Sequence, residues 1–226
     1  MKIVRLAVLG AAITLAAGLL APATSAAATR SSALPATVST RTVHVDVDGD
    51  KVLDRVRIVH LGGTSFEVRV RTATGKTDTA TLTSTIVRDW GIEPWYGAAR
   101  LDGVKGYELI LLRGGGDGVR LKVFTWRSGH LVAEKAPKPR PSGSYVWYTT
   151  SLDWLRYGYR FSTVHGSRYV ENFTLTKHGS HWSGTIVRSV WKAGTWTKLS
   201  TRHVNLSKSQ AKPYSGISGV TVIARP

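Results

Sequence analysis

The chain has 226 residues, 31 Lys+Arg against 14 Asp+Glu, a formal net charge of +17 and no cysteine. That excludes disulfides, thiolate catalysis and cysteine-ligated zinc, so core burial, an oxygen-ligated ion or both must hold the fold. The charge favours an anionic partner, such as a phosphate-bearing wall polymer, anionic lipid or nucleic acid, although a merely solubilising surface has the same composition.

Residues 1–28 carry Lys2 and Arg5, a short apolar run, and small residues from Thr24 to Ala28. This is the pattern of a secretory signal peptide, cleaved after Ala26 or Ala28. Pro22 and the small polar tail break the run short of the roughly 20 apolar residues that a span needs, so no transmembrane segment is expected after removal. Without the segment's two bases, 29 basic residues face 14 acidic ones, a net +15. The expected location is secreted, extracellular or in the cell envelope. Residues 29–41 are polar and aperiodic and read as a flexible leader.

From residue 42 the texture changes to short runs rich in Val, Ile, Thr, Tyr and Trp. TSFEVRVRTATGK alternates Phe66, Val68 and Val70 with Glu67, Arg69 and Arg71, and GVRLKVFTWRSGH repeats the design with Val119, Leu121 and Val123 inward. Period-two alternation marks strands with one buried face, and Gly75 and Gly129 supply turns at matching places. Asp48-Gly49 and Asp102-Gly103 lie 54 positions apart (102 − 48), and the same offset pairs Lys51 with Lys105, Asp54 with Glu108, Ile58 with Leu112 and Gly62 with Gly116. Across the next strand the offset slips by one, aligning Val68 with Leu121 and Val70 with Val123. Residues 42–133 therefore read as two copies of a β-sheet unit, with Asp89, Trp90, Gly91, Pro94 and Trp95 as a packed corner between them.

EKAPKPRPSGS, 134–144, is a Pro/Lys linker. Residues 145–226 form a Trp-rich β region of successive strands, with hairpin turns at His178-Gly179-Ser180-His181 and Lys192-Ala193-Gly194-Thr195. A short helix fits within 207–216; nothing else in the mature chain has a helical period. The expected fold class is all-β: repeated antiparallel sheet units, propeller-like or a partial propeller, with the Trp-rich β region following.

The acidic stretch VDVDGDKVLDRV, 45–56, stands out in a basic chain. Hard cations such as calcium take six to eight oxygens, and alternate residues of a tight loop can aim several carboxylates at one point. Asp46, Asp48 and Asp50 have that spacing, Gly49 permits a sharp backbone, and Asp54 returns from the following strand; a carbonyl near Val52 is a further candidate. The alternative is an Asx-rich turn whose carboxylates cap backbone amides, with Lys51 and Arg55 as counter-charges. The loop is no EF-hand, lacking its glycine at position six and glutamate at twelve.

VDVDGDKVLDRVRI resembles the calcium loop of the FG-GAP and VCBS repeat families, Asp-x-Asp/Asn-Gly-Asp-Gly-x-x-Asp before an apolar strand, over residues 43–133. The resemblance implies Ca2+ ligation by Asp46, Asp48, Asp50 and Asp54. Lys51 departs from the pattern at its second glycine. In the second copy, ARLDGVKGYELILL, the match is at Asp102, Gly103 and Glu108, while Arg100 and Val104 occupy two carboxylate positions, so no metal is expected there.

No catalytic residues are assigned. There is no Gly-x-Ser-x-Gly elbow, His-Glu-x-x-His helix or phosphate loop at RGGGDG, 113–118, and no specific nucleic-acid motif. His178 and His181 read as a polar hairpin tip. Trp147, Trp154, Trp182, Trp191 and Trp196 read first as strand and core fillers. The leading reading is a secreted or cell-surface, monomeric calcium-binding β protein whose basic surface meets an anionic wall polymer or polysaccharide. One rival is a secreted hydrolase acting on a wall glycan, with Asp153 and Glu171 as the carboxylate pair of the C-terminal part. Another is a carbohydrate-binding module with coplanar, exposed tryptophans.

Overall fold

Strands dominate because β-branched and aromatic residues alternate with polar ones along most of the chain. The computed structural model describes residues 40–137, 145–224 and 226. The signal segment 1–28, the leader through residue 39 and linker positions 138–144 lie outside the described residues. Thr40 and Arg41, read above as leader, already belong to β1 (Thr40–Val45), where they pair with Val59 and Ile58.

With β2 (Asp54–Gly62), β3 (Ser65–Arg71) and β4 (Thr77–Thr83), β1 forms a four-stranded antiparallel sheet in chain order. Phe66, Val68 and Val70 point into the core while Arg69 and Arg71 face solvent. The corner that follows holds α1 (Ile86–Trp90), closed by Gly91 at φ 67. Five residues are too few to show a helical period. Trp95, read above as part of this corner, is instead the first residue of β5 (Trp95–Ala99), fully buried, with its indole Nε1 donating to the Ala224 carbonyl.

The remaining strands are β6 (Glu108–Gly114), β7 (Val119–Arg127), β8 (His130–Ala133), β9 (Trp147–Ser151), β10 (Leu155–Val164), β11 (Ser167–His178), β12 (His181–Lys192), β13 (Thr195–Ser207) and β14 (Ile217–Ser218). They join β5 in a ten-stranded sheet of order β13-β12-β11-β10-β9-β7-β6-β5, with β8 on β7 and β14 parallel to β10. Neither path of paired strands returns to its start, so among the described residues no barrel or propeller ring closes. Both C-terminal hairpin turns fall where the sequence places them, between His178 and His181 and between Lys192 and Thr195. In the second, Ala193 at φ 51 and Gly194 at φ 76 give the left-handed pair that a tight hairpin needs. α2 (Lys208–Ala211) lies within 207–216 and starts with a capping box between Ser207 and Gln210.

β6 is apolar on both faces, and this organises the core. Leu109 and Leu111 pack with Val56, Ile58, Phe66 and Val68 of the first sheet, while Ile110 and Leu112 pack with Trp147, Tyr159, Phe161 and Val170 of the C-terminal strands. A sheet of ten strands does not stay flat, and its curl lets β10 and β11 cover the second face of β6 and β7. The core thus continues across the Pro/Lys segment. A third cluster, Phe173, Leu175, Trp182 and Ile186, is covered by Ala211 of α2 and by Tyr214.

Strand registers run in parallel in the two N-terminal stretches. Val45 pairs with Asp54 as Ala99 pairs with Glu108, and Val56 pairs with Val70 as Ile110 pairs with Val123. No helix among the described residues is long and apolar enough to cross a membrane.

Candidate functional site

Between Val45 and Asp54 the backbone turns through left-handed conformations at Gly49, φ 79, and Lys51, φ 72. Lys51 thus holds the conformation that the calcium-loop pattern gives to glycine, at a cost of about 1 kcal/mol. The turn brings carboxylate oxygens of Asp46, Asp48 and Asp50 within 4.8 Å of one another. Asp46 accepts from the amides of Gly49 (2.7 Å) and Lys51 (3.2 Å), Asp48 from Asp50 N (3.2 Å), and Asp50 from Val52 N (2.7 Å).

These bonds are the Asx turns of the alternative reading, but they do not exhaust the oxygens, each of which has two lone pairs. The proposed counter-charges decide more. Among the described residues none of Asp46, Asp48, Asp50 and Asp54 is in an ion pair, so neither Lys51 nor Arg55 reaches the group in direct contact. Three converging carboxylates without a protein cation suit a hard divalent ion.

Asp54 is not part of that group of three. It is fully buried; Oδ2 accepts from Val47 N at 2.7 Å and Oδ1 from Ala73 N at 2.8 Å. Burial pushes its carboxyl above the usual range, against the pull of these two amides, and the charge of Asp48 adds to the rise. Asp54 clamps the loop's backbone to the turn after β3.

The loop between β5 and β6 repeats this local chemistry. Glu108 Oε2 accepts from Leu101 N at 2.6 Å, as Asp54 does from Val47, and Asp102 Oδ1 accepts from Val104 N at 2.7 Å, as Asp48 does from Asp50. The two loops interlock: Tyr107 N donates to the Asp46 carbonyl at 2.9 Å, and a Cβ on Gly49 would collide with Lys105 and the Gly106 backbone.

A second acidic group surrounds Glu108. Asp102, Glu108 and Glu134 are all buried, with carboxylate oxygens within 4.8 Å of one another. Arg127 of β7 donates to both Asp102 and Glu108, Thr125 Oγ1 donates to Glu108 at 3.2 Å, and the Trp196 indole donates to Glu134 Oε1 at 3.0 Å. Burial first, then the Asp102 charge, pushes the Glu108 carboxyl up to about 7. The sequence reading missed Glu134, an acid directly after β8 that looks like part of a Pro/Lys linker. Its only signal was a lone glutamate following an apolar run.

On the C-terminal sheet a cleft of about 600 Å³ opens between the turn after β9, the β11–β12 hairpin and α2. Arg156, Lys177, Lys208 and Lys212 line it, against one acid, Asp153. Arg156 is fixed in place, its guanidinium 4.1 Å from the Trp182 ring centre and its Nη1 donating to the Ala211 carbonyl at 2.5 Å. The three lysines are exposed. Among the described residues they enter no ion pair.

Glu171 does not line this cleft. It is engaged by Arg202 at 3.1 Å and Arg160 at 3.5 Å, so Asp153 and Glu171 are not set as a carboxylate pair. Of the C-terminal tryptophans, Trp147, Trp182 and Trp196 are buried, Trp191 is half-buried against Trp196, and Trp154 is exposed. They form no coplanar exposed row. His178 and His181 face each other across the hairpin turn, with His181 Nδ1 hydrogen-bonded to Ser180 Oγ at 3.0 Å. No family model, curated protein or solved structure matches the chain.

Proposed function

We propose that the chain is an exported, non-catalytic binding protein that holds an anionic wall polymer or polysaccharide in the cleft of Arg156, Lys177, Lys208 and Lys212, with a calcium ion bracing the Asp46–Asp54 loop. The observation that carries this reading is the cleft itself. Four cations converge on one concavity with a single opposing acid, and one of them is pre-positioned on an indole. Such a site concentrates a repeating anion without a reaction to perform. The unpaired carboxylates of Asp46, Asp48 and Asp50 support the calcium part, with Asp54 as the clamp that presents them. The shared registers and amide clamps at Asp54 and Glu108 support reading residues 42–133 as two FG-GAP/VCBS-like units. Export rests on the signal pattern of residues 1–28.

Fluorescence-detected binding of labelled poly(glycerol phosphate) and polygalacturonate tests the proposal. Binding should weaken as salt rises, and Lys208→Glu/Lys212→Glu should reduce the slope of log affinity against log salt by roughly two. Polymer length should be unchanged after prolonged incubation. Shortening of either polymer would restore the hydrolase reading, and salt-insensitive or absent binding would remove the basic cleft as the functional site.

A further inference from the structure

The buried group Asp102, Glu108 and Glu134 calls for a proton on two counts. The first is the count of hydrogen-bond donors. Asp102 Oδ1 and Oδ2 accept from Val104 N and Arg127, Glu108 Oε2 and Oε1 from Leu101 N and from Thr125 with Arg127, and Glu134 Oε1 from the Trp196 indole. The sixth oxygen, Glu134 Oε2, is buried and has no partner, although the Glu134 residue is only 3 % exposed and its carboxylate converges on the other two. Leaving a buried acceptor without a donor costs about 1–3 kcal/mol, and more if it is charged.

The second is the count of charge. The groups facing Glu134 are Asp102 from the loop before β6, Glu108 from β6 and Arg127 from β7; Arg168 of β11, whose guanidinium donates to Thr163 and the Arg100 carbonyl, acts on Glu108 and Asp102 only from a distance. Three buried carboxyl groups against the one guanidinium paired with them leave an excess of negative charge. One proton on Glu134 lowers the excess charge and turns the orphan oxygen into a donor. A divalent ion would compete with Arg127 for oxygens already engaged, far short of the six to eight that calcium takes.

We propose that Glu134 is held as a neutral carboxylic acid, donating from Oε2 to the Asp102–Glu108 pair and accepting from Trp196, so that a single buried proton ties β13 to the β5–β8 strands. Burial first, then the charges of Glu108 and Asp102, raises the Glu134 carboxyl well above its ordinary range, in keeping with this. Because the folded value is raised, the tie is complete below the unfolded carboxylate range. It is lost as pH rises through the folded value, when the proton leaves for solvent and Glu134 faces two carboxylates with only the indole as donor. The protein therefore has a built-in loosening as pH rises through the raised value of Glu134, set where the Trp-rich strands meet the N-terminal ones.

Glu134→Gln tests this in the full chain, because glutamine keeps the shape, accepts from Trp196 and donates its amide to the same pair at every pH. The wild type should show a stronger protonated-carboxyl carbonyl stretch in the infrared at neutral pH than E134Q, in which only the Glu108 carboxyl, raised to about 7, contributes. Denaturant unfolding from about pH 5 to about pH 9 should show a steeper loss with rising pH for the wild type, with E134Q matching or exceeding it at the upper end. A band of equal strength in the two proteins, an unchanged pH slope in E134Q, or calcium or magnesium stabilising Asp48→Ala/Asp50→Ala but not E134Q would each overturn the assignment.

Discussion

Replacing Asp54 by alanine separates a backbone clamp from a metal ligand. Its two oxygens accept from Val47 N at 2.7 Å and Ala73 N at 2.8 Å, and the side chain is fully buried. Val47 is 1 % exposed, so its amide is left without any acceptor, at about 2–3 kcal/mol for a lost bond to a charged partner. Ala73 lies on an exposed turn where water can replace the carboxylate, so its share is smaller, about 1–2 kcal/mol. The total of about 3–5 kcal/mol corresponds to a fall in Tm of about 6–20 °C for a domain of this size. Asp54→Asn should fall between wild type and alanine, because it keeps one acceptor but sets an amide against an N–H. Thermal melts in calcium and in chelator are the assay, and the larger part of the loss should persist in chelator. A loss below about 1 kcal/mol, or one that vanishes in chelator, would refute the clamp and return Asp54 to the ligand set.

Three further outcomes follow from the same geometry. With calcium at about ten times its dissociation constant, the wild type should gain about 1.4 kcal/mol over the chelated protein, while Asp48→Ala/Asp50→Ala should gain nothing, as read from paired denaturant titrations. Lys51→Gly should stabilise the chelated protein by about 0.5–1 kcal/mol through relief of its φ of 72, and should tighten calcium binding by removing a positive charge beside the carboxylates. Gly158→Ala should detach the segment that carries β14, because its Cβ would collide with the Gly216 carbonyl that accepts from Tyr159 N; faster amide exchange at Tyr159 is the readout.

Local pattern carried the sequence reading far where one face of a strand decided it. Phe66, Val68 and Val70 alternate because one face is buried, and the offset that slips from 54 to 53 pairs the very residues that share a register in the two sheets. β6 was harder to read: Leu109 to Leu112 are apolar on both faces, so nothing in their order tells which neighbour each face meets. In the acidic loop the spacing of Asp46, Asp48 and Asp50 foretold their convergence, whereas the diversion of Asp54 to two amides depends on the turn at Ala73, which folding brings to it. Glu134 and Trp196 lie in segments that read as linker and core filler, and the bond between them depends on the curl of the ten-stranded sheet.

The cleft is tested most directly by mapping where a polyanion touches the protein. Two-dimensional NMR of the isotope-labelled chain, titrated with poly(glycerol phosphate), should move the signals of Arg156, Lys177, Lys208 and Lys212 together, saturably and less at high salt. Those of the exposed Arg69 and Arg71 on β3 should stay still. Shifts spread evenly over all basic residues, or concentrated on β3, would contradict a dedicated site and leave only a diffuse positive surface.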